Sequence, residues 1–388
     1  MKRPNPHLFI FAGEPSGDLH GGRLLKALKE HHQELKADGV GGPHLRQQGL
    51  TCVFPTEEFE VMGLSDVLLA LPKLWSRFKK VRRHILTTNP QGVVLIDYPG
   101  FNLRLAKALR KKGYTGKIVQ YISPTVWAHS RKRIDHMAKT LDLLLTIYPF
   151  EPPYFFHTPL RTEYVGNPLV EYVHTHPYDD HWAEKHQIPD TENLVALFPG
   201  SRKSEILHHL PPLLQAARLL KQDNPALLFA ISCVKEESIP LIEKAIEQHE
   251  FRLNRDIFLV PSKHTYDLMR TARAAIAKSG TVTLELALHS CPTVVVYQLS
   301  MLNRFYARMF LRLNLSHYCI VNILQEREVF PELIEKGFTP RTIAEEALNL
   351  IRDNPIREAC LSECGHLQEV LNDGFASNAA ASKIAELL

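Results

Sequence analysis

Three observations predict an α/β protein built from two doubly wound parallel-sheet domains in tandem. Short continuous apolar runs recur along the chain, each followed by a Gly-, Pro- or Ser-bearing loop and then a helical pattern. At 388 residues the chain is longer than one hydrophobic core usually serves. The strand–loop–helix cycle also halts at a polar, His-rich run from His174 to His181 and then starts again. That run is the expected linker, giving domains at residues 1–172 and 182–374.

In the first domain the expected strands are His7–Ala12, Ala37–Gly41, Gly92–Ile96, Lys117–Ile122, Leu141–Ile147 and Glu163–Val165. Gly92–Ile96 is apolar throughout, as strands buried on both faces of a parallel sheet are. It ends in Asp97-Tyr98-Pro99-Gly100, at the sheet edge where open α/β folds bind ligands, so Asp97 is a candidate general base. The competing reading is that Asp97 structures its own turn. The first strand runs into Gly13-Glu14-Pro15-Ser16-Gly17-Asp18. This is neither a G-x-G-x-x-G dinucleotide fingerprint nor a G-x-S-x-G nucleophile elbow. Asp18 suits a helix N-cap, whereas Glu14 has no such ready structural role.

Between these strands, Val67–Leu86 is helical in pattern, with a break or kink expected at Pro72. Trp75 and Phe78 lie there among Lys79, Lys80, Arg82 and Arg83, with no acid between Asp66 and Asp97. Such a stretch reads as a membrane-surface helix or as a core helix with a solvated basic face. Arg304–Leu315 is a second run of this kind.

In the second domain the expected strands are Leu194–Phe198, Ala226–Ser232, Ile257–Val260, Ala274–Ala277 and Thr293–Tyr297, and Arg341–Leu388 is helical in pattern. Leu194–Phe198 breaks at Pro199-Gly200-Ser201-Arg202, and an amphipathic helix opens near Glu205. A glycine turn leading into a helix N-terminus presents unpaired N–H groups to an anion, and Arg202 adds a charge whose geometry suits phosphate. Ser279-Gly280-Thr281-Val282-Thr283-Leu284-Glu285 repeats the arrangement. Two such loops in one domain suggest a nucleotide diphosphate, and with it a sugar-nucleotide transferase acting in a cleft between the domains.

Net charge of +4 is too mild to argue for nucleic acid, and no apolar run reaches the length of a bilayer span. The apolar stretch after the basic N-terminus is too short for a signal-peptide core, so the cytoplasm is the expected compartment. The six cysteines are scattered in apolar surroundings, as reduced core cysteines are. Neither a His-Glu-x-x-His nor an Asp-x-Asp pattern occurs, so no metal and no cofactor are expected.

An ordered set of short motifs carries a resemblance. Gly13-Glu14-x-Ser16-Gly17-Asp18, Gly39-Val40-Gly41-Gly42-Pro43, Ile96-Asp97-x-Pro99, Tyr121-Ile122-Ser123-Pro124-x-Val126-Trp127-Ala128, Pro149-Phe150-Glu151, Val165-Gly166, Pro199-Gly200-Ser201-Arg202 and Ser279-Gly280-Thr281 occur in this sequence. Together they closely resemble the lipid-A-disaccharide synthases of glycosyltransferase family 19. The resemblance implies an inverting, metal-independent glycosyltransferase of the GT-B fold from a Gram-negative bacterium. Its donor would be UDP-2,3-diacylglucosamine and its acceptor 2,3-diacylglucosamine 1-phosphate, joined β-1,6 with release of UDP.

On matching positions, Asp97 would be the base. Arg202 and the Ser279-Gly280-Thr281 loop would hold the diphosphate and Glu285 the ribose, Asn322 would lie near the nucleotide, and Gly200, Ser201, Glu205 and Thr283 would be nucleotide-binding. Glu14, Ser16, Gly17, Asp18, Ser123 and Trp127 would line the acceptor side. The last helix, about 375–388, would cross back to the first domain. Trp75, Phe78 and the basic residues would seat the chain peripherally on the anionic inner face of the inner membrane, with a homodimer as a candidate assembly. The chain departs from the family pattern at His129, where Trp is usual, and at Asn167, where His is usual. Another two-domain UDP-sugar enzyme (a cell-wall N-acetylglucosaminyltransferase or a 2-epimerase) shares the architecture but not the Gly13–Asp18 and Tyr121–Ala128 motifs. A non-catalytic nucleotide-binding protein is the alternative outside enzymes.

Overall fold

The computed structural model describes residues 6–59, 64–128, 131–233, 235–298, 316–371 and 374–388, without the side chains of 64–71. The second basic run, 304–315, and His129 therefore lie outside the described residues. The chain divides into two compact units, Met1–Glu171 with Leu371–Leu388, and Tyr172–Val370.

In the first unit the strands β1 (His7–Ala12), β2 (Lys36–Gly41), β3 (Thr51–Pro55), β4 (Gly92–Ile96), β5 (Lys117–Tyr121), β6 (Leu143–Thr146) and β7 (Arg161–Tyr164) form one sheet. Their order is β3-β2-β1-β4-β5-β6-β7 and every pairing is parallel. β4 is buried at all its positions because helices cover both faces of the sheet. Its odd and even side chains enter two different apolar clusters, Val93 and Leu95 with Phe9 and Phe11, Val94 and Ile96 with Leu8 and Ile10.

Helix α1 (Pro15–His31) follows β1 and α4 (Pro99–Lys111) follows β4; each carries Pro in its first turn, where no N–H is missed. Between them lie α2 (Pro43–Gln47) and α3 (Leu64–Thr88). Helix α3 runs as one element through Pro72, so the break expected there is corrected. The edge strand β3 and the short α2 were not foreseen. Helices α5 (Lys132–Ala138) and α6 (Pro168–Thr175) complete this part of the chain.

The second unit repeats the plan. Its strands β8 (Leu194–Phe198), β9 (Leu228–Cys233), β10 (Ile257–Pro261), β11 (Ala274–Lys278), β12 (Thr293–Tyr297) and β13 (Glu332–Ile334) are all parallel, in the order β10-β9-β8-β11-β12-β13. Its described helices are α7 (Trp182–Lys185), α8 (Lys203–Asp223), α9 (Ile239–Gln248), α10 (Thr265–Thr271), α11 (Thr281–Leu288), α12 (Ile320–Gln325), α13 (Pro340–Ile351) and α14 (Pro355–Leu371).

The last helix, α15 (Ala376–Ala385), belongs to the first unit. Ala380, Ala381 and Ile384 join the apolar cluster of Leu24, Leu25 and Leu28 on α1. A buried polar clasp fixes it: Glu171 accepts from the Ser377 N–H at 3.0 Å and hydroxyl at 2.8 Å, and from Arg23 at 3.1 Å. Among the described residues no helix is long and apolar enough to cross a membrane.

Candidate active site

In both sheets the strand order reverses beside the first strand of the unit: between β1 and β4, and between β8 and β11. Loops leaving the carboxyl ends of such neighbours run to opposite sides of the sheet and open a crevice where ligands bind. The Glu14 and Asp97 loops leave one switch point, and the Gly200 and Gly280 loops leave the other.

At the first edge the backbone is strained. Asp97 and Tyr98 have φ of 46° and 43°, and Ile122, at the end of neighbouring β5, has φ of 70°. Left-handed non-glycine residues cost about 1–3 kcal/mol each and persist where the surroundings over-determine them. Here two buried amides do so. Gln120 Nε2 donates to the carbonyls of Asp97, Tyr121 and Ile122 at 2.9, 3.3 and 3.1 Å. Asn102 Nδ2 donates to those of Ile96 and Asp97 at 3.2 and 2.6 Å. Burial pushes the Asp97 carboxyl above its ordinary value, against a smaller opposing effect of the Tyr98 N–H. A partly desolvated carboxylate at a crevice is a stronger base than one in water.

Glu14 approaches from the β1 loop. After burial, its charge is what raises the Tyr98 phenol. Gly13 permits this approach, since a Cβ there would lie 2.8 Å from both Phe11 and Tyr98. Ser16 is exposed in the first turn of α1, and Gly17 is buried against the end of the sheet.

Asp18 has a different role from the one expected. Its side chain is 1% exposed, and its two oxygens accept the N–H groups of Gly42, His44 and Leu45 at 2.7, 2.9 and 3.1 Å. It caps α2 and is not the N-cap of its own helix, which is Glu14. Ser123 is buried, its hydroxyl turned to the Pro124 carbonyl at 3.1 Å, and Trp127 is half-buried, edge-on to Phe150. Asn167 is buried between Ile147 and Leu169, bonded to both.

The second edge holds a cavity of about 300 Å³ lined by Gly200, Ser201, Arg202, Glu205, Ser232, Lys278, Ser279, Gly280 and Thr281, among others. The turn at Gly200 needs glycine: its φ is 113°, and a Cβ would meet Glu205 at 2.6 Å. Glu205 ties the loop to β11. Its Oε2 accepts the Ser201 and Arg202 N–H groups at 3.0 and 3.3 Å, while Oε1 pairs with Arg202 and Lys278, each at 3.2 Å. Burial would raise its carboxyl, but the Lys278 charge and the donated N–H bonds outweigh that and hold it below the ordinary range. A carboxylate repels phosphate, so Glu205 organises the loop instead of ligating the anion.

Thr283 is likewise turned inward, its hydroxyl donating to the Gly280 carbonyl at 2.8 Å across the first turn of α11. One oxygen of Glu285 accepts from the Tyr266 hydroxyl at 2.8 Å, and burial raises its carboxyl. Asn322 is fully buried. Its oxygen accepts the Val329 and Phe330 N–H groups, and its nitrogen donates to Phe330 O and Glu332. With both amide atoms engaged, the Asn322 side chain ties α12 to the segment that leads into β13.

On α3 the expected membrane set separates. Trp75 is 57% exposed and Lys79, Lys80 and Arg83 are exposed, but Phe78 is 7% exposed and packs edge-on against Phe101 in the core. Phe78 is therefore a core anchor, with Arg82 lying over its ring. Sequence reasoning missed Lys278, Gln120, Asn102 and Tyr266. A charged residue at the end of an otherwise apolar strand, directly before Ser279-Gly280-Thr281, was the available signal for Lys278.

Two parallel sheets, each opening at its switch point, define the GT-B class of fold. Solved structures agree. A putative UDP-N-acetylglucosamine 2-epimerase from Listeria monocytogenes aligns over 96% of this chain and 93% of its own, with a TM-score of 0.66 at 12% identity. The calicheamicin glycosyltransferase CalG4 aligns over 100% and 99%, with a TM-score of 0.62 at 13% identity. At sequence level, the lipid-A-disaccharide synthetase family model matches residues 8–385, and the chain belongs to that family. It is 38% identical over 371 residues to the lipid-A-disaccharide synthase of Chlamydia trachomatis serovar D, covering 95% of this chain but only 60% of that one. With the synthase of Anaeromyxobacter sp. strain K it shares 34% identity, over 98% of this chain and 97% of the relative.

Proposed function

We propose that this chain is an inverting glycosyltransferase that joins UDP-2,3-diacylglucosamine to 2,3-diacylglucosamine 1-phosphate. The products are the β-1,6-linked disaccharide 1-phosphate and UDP. The observation that carries the reading is the family match over residues 8–385, which takes in both switch points without a break. Asp97 accepts the proton of the acceptor 6-hydroxyl as that oxygen attacks C1 of the donor sugar. The C1–O bond to the diphosphate breaks, and the leaving group keeps the electron pair. Negative charge then builds on the diphosphate, where Arg202 and the N–H groups opening α8 and α11 stabilise it. Glu14 and Ser16 belong to the acceptor side.

Both proposed substrates are lipids, and the exposed face of α3 supplies a docking surface for them. Trp75 with Lys79, Lys80 and Arg83 suits the anionic inner face of a membrane. The assignment is tested by mass spectrometry of the products formed from the two acyl sugars. Disaccharide 1-phosphate and UDP in equal amounts, only when both substrates are present, are expected. Epimerised donor, or UDP formed without acceptor, would overturn the assignment.

A further inference from the structure

The geometry points to Lys278 as a catalytic residue: we propose that its ammonium binds the diphosphate and neutralises it as it departs. The inference rests on reading the Gly200 and Gly280 loops as the nucleotide site. Lys278 ends β11 and lines the 300 Å³ cavity between those loops. Two features hold its Nζ in place, Glu205 Oε1 at 3.2 Å and the Tyr297 ring, whose centroid is 5.4 Å away. An ammonium has three donors, so contact with Glu205 leaves capacity for a phosphate oxygen.

Exposure decides between the two cations that line this cavity among the described residues. The side chain of Lys278 is 19% exposed, that of Arg202 72%. Water and salt screen the exposed charge far more, so Lys278 is the cation whose field on a bound diphosphate is stronger. Its position is also the better fixed, because it sits on a strand end and not on a loop side chain. Glu205 is then a positioning residue: it holds the ammonium at the phosphate seat while repelling the anion itself. As charge grows on the leaving diphosphate, its attraction to the Lys278 ammonium strengthens.

The test compares the parent with K278M, K278R and the double variant K278M/E205Q, the last of which leaves no acid stranded beside the lost cation. UDP and uridine binding are measured on the full chain by calorimetry and ligand-observed NMR. Transfer kinetics are measured alongside. UDP binding should weaken roughly 10- to 100-fold in K278M and in the double variant, as loss of a hydrogen bond to a charged group implies. Uridine, which lacks the phosphates, should bind all four proteins alike, and K278R should recover part of the UDP affinity. In the transfer reaction kcat should fall more than KM rises, by about 10²-fold, because the contact strengthens in the transition state. UDP binding equal to the parent's in K278M, or an equal loss for uridine, would overturn the inference. A parent that binds UDP through Lys278 but transfers no acyl sugar would overturn the substrate assignment and leave Lys278 standing.

Discussion

Asp18→Ala separates a structural from a chemical role for an acid that the sequence places among the acceptor residues. In the folded chain its carboxylate is the shared acceptor of three backbone N–H groups at the start of α2. Removing it strands those donors where water is scarce, at about 1–3 kcal/mol each. The donors share one group, and a single-turn helix can fray towards solvent, so their sum is an upper bound. A loss of about 3–5 kcal/mol is the working figure, a large part of a domain's usual stability. For a unit of this size it lowers the melting temperature by roughly 10 °C. Asp18→Asn keeps one oxygen, enough for Gly42 and Leu45, but sets an NH₂ against the His44 N–H, and should lose about half as much. Scanning calorimetry and urea denaturation read both variants, with UDP binding as a control for the second unit. If Asp18→Ala melted with the parent and lost transfer activity, the structural reasoning would be refuted and Asp18 would return to the acceptor site.

Glu151 and α3 carry further expectations. Burial pushes the Glu151 carboxyl up to about 7, although the Tyr148 and Ile147 N–H groups pull the other way. For an acid raised in the folded state, stability is full below the ordinary value of 4.5 and is lost as pH rises through about 7. Glu151→Gln should therefore remove up to about 3 kcal/mol of the stability difference between pH 4.5 and 7.5, read from urea midpoints. Equal pH slopes in parent and variant would contradict it. On α3, replacing Lys79, Lys80, Arg82 and Arg83 with Gln should weaken sedimentation with anionic vesicles by up to about 10³-fold at low salt, at about 1 kcal/mol per charge. Trp75→Ala should also weaken it at a small cost in stability, from the lost stacking on Phe78, whereas Phe78→Ala should destabilise the fold by more. Vesicle binding unchanged by the four substitutions would make α3 a core helix with a solvated face.

The layout was legible because buried parallel strands advertise themselves. Gly92–Ile96 and Leu194–Phe198 are apolar throughout, and the loops that follow them end up at the two switch points. The edge strands β3 and β13 were missed because they are only partly buried, so their composition mixes polar and apolar residues. A polar residue in a motif does not declare which way it faces. Asp18 and Asn322 look like ligand contacts in one dimension, yet each bonds backbone groups that only folding brings near. Gln120 and Asn102 were missed for the converse reason. Nothing in their composition marks them: the Gln120 bond to Asp97 exists only once β4 and β5 lie side by side, and that of Asn102 only once α4 folds back on the end of β4. Phe78 shows the limit of an amphipathic stripe, because its apolar members divide between core and surface according to what packs against them.

Asp97, held in its left-handed turn by Gln120 and Asn102, is proposed as the base of the transfer reaction. The most direct test is single-turnover UDP release from UDP-2,3-diacylglucosamine and 2,3-diacylglucosamine 1-phosphate by the parent and by Asp97→Asn. A rate about 10²- to 10⁴-fold lower is expected in the variant, with UDP affinity and melting temperature close to the parent's. A variant that transfers the sugar at nearly the parent rate would contradict it.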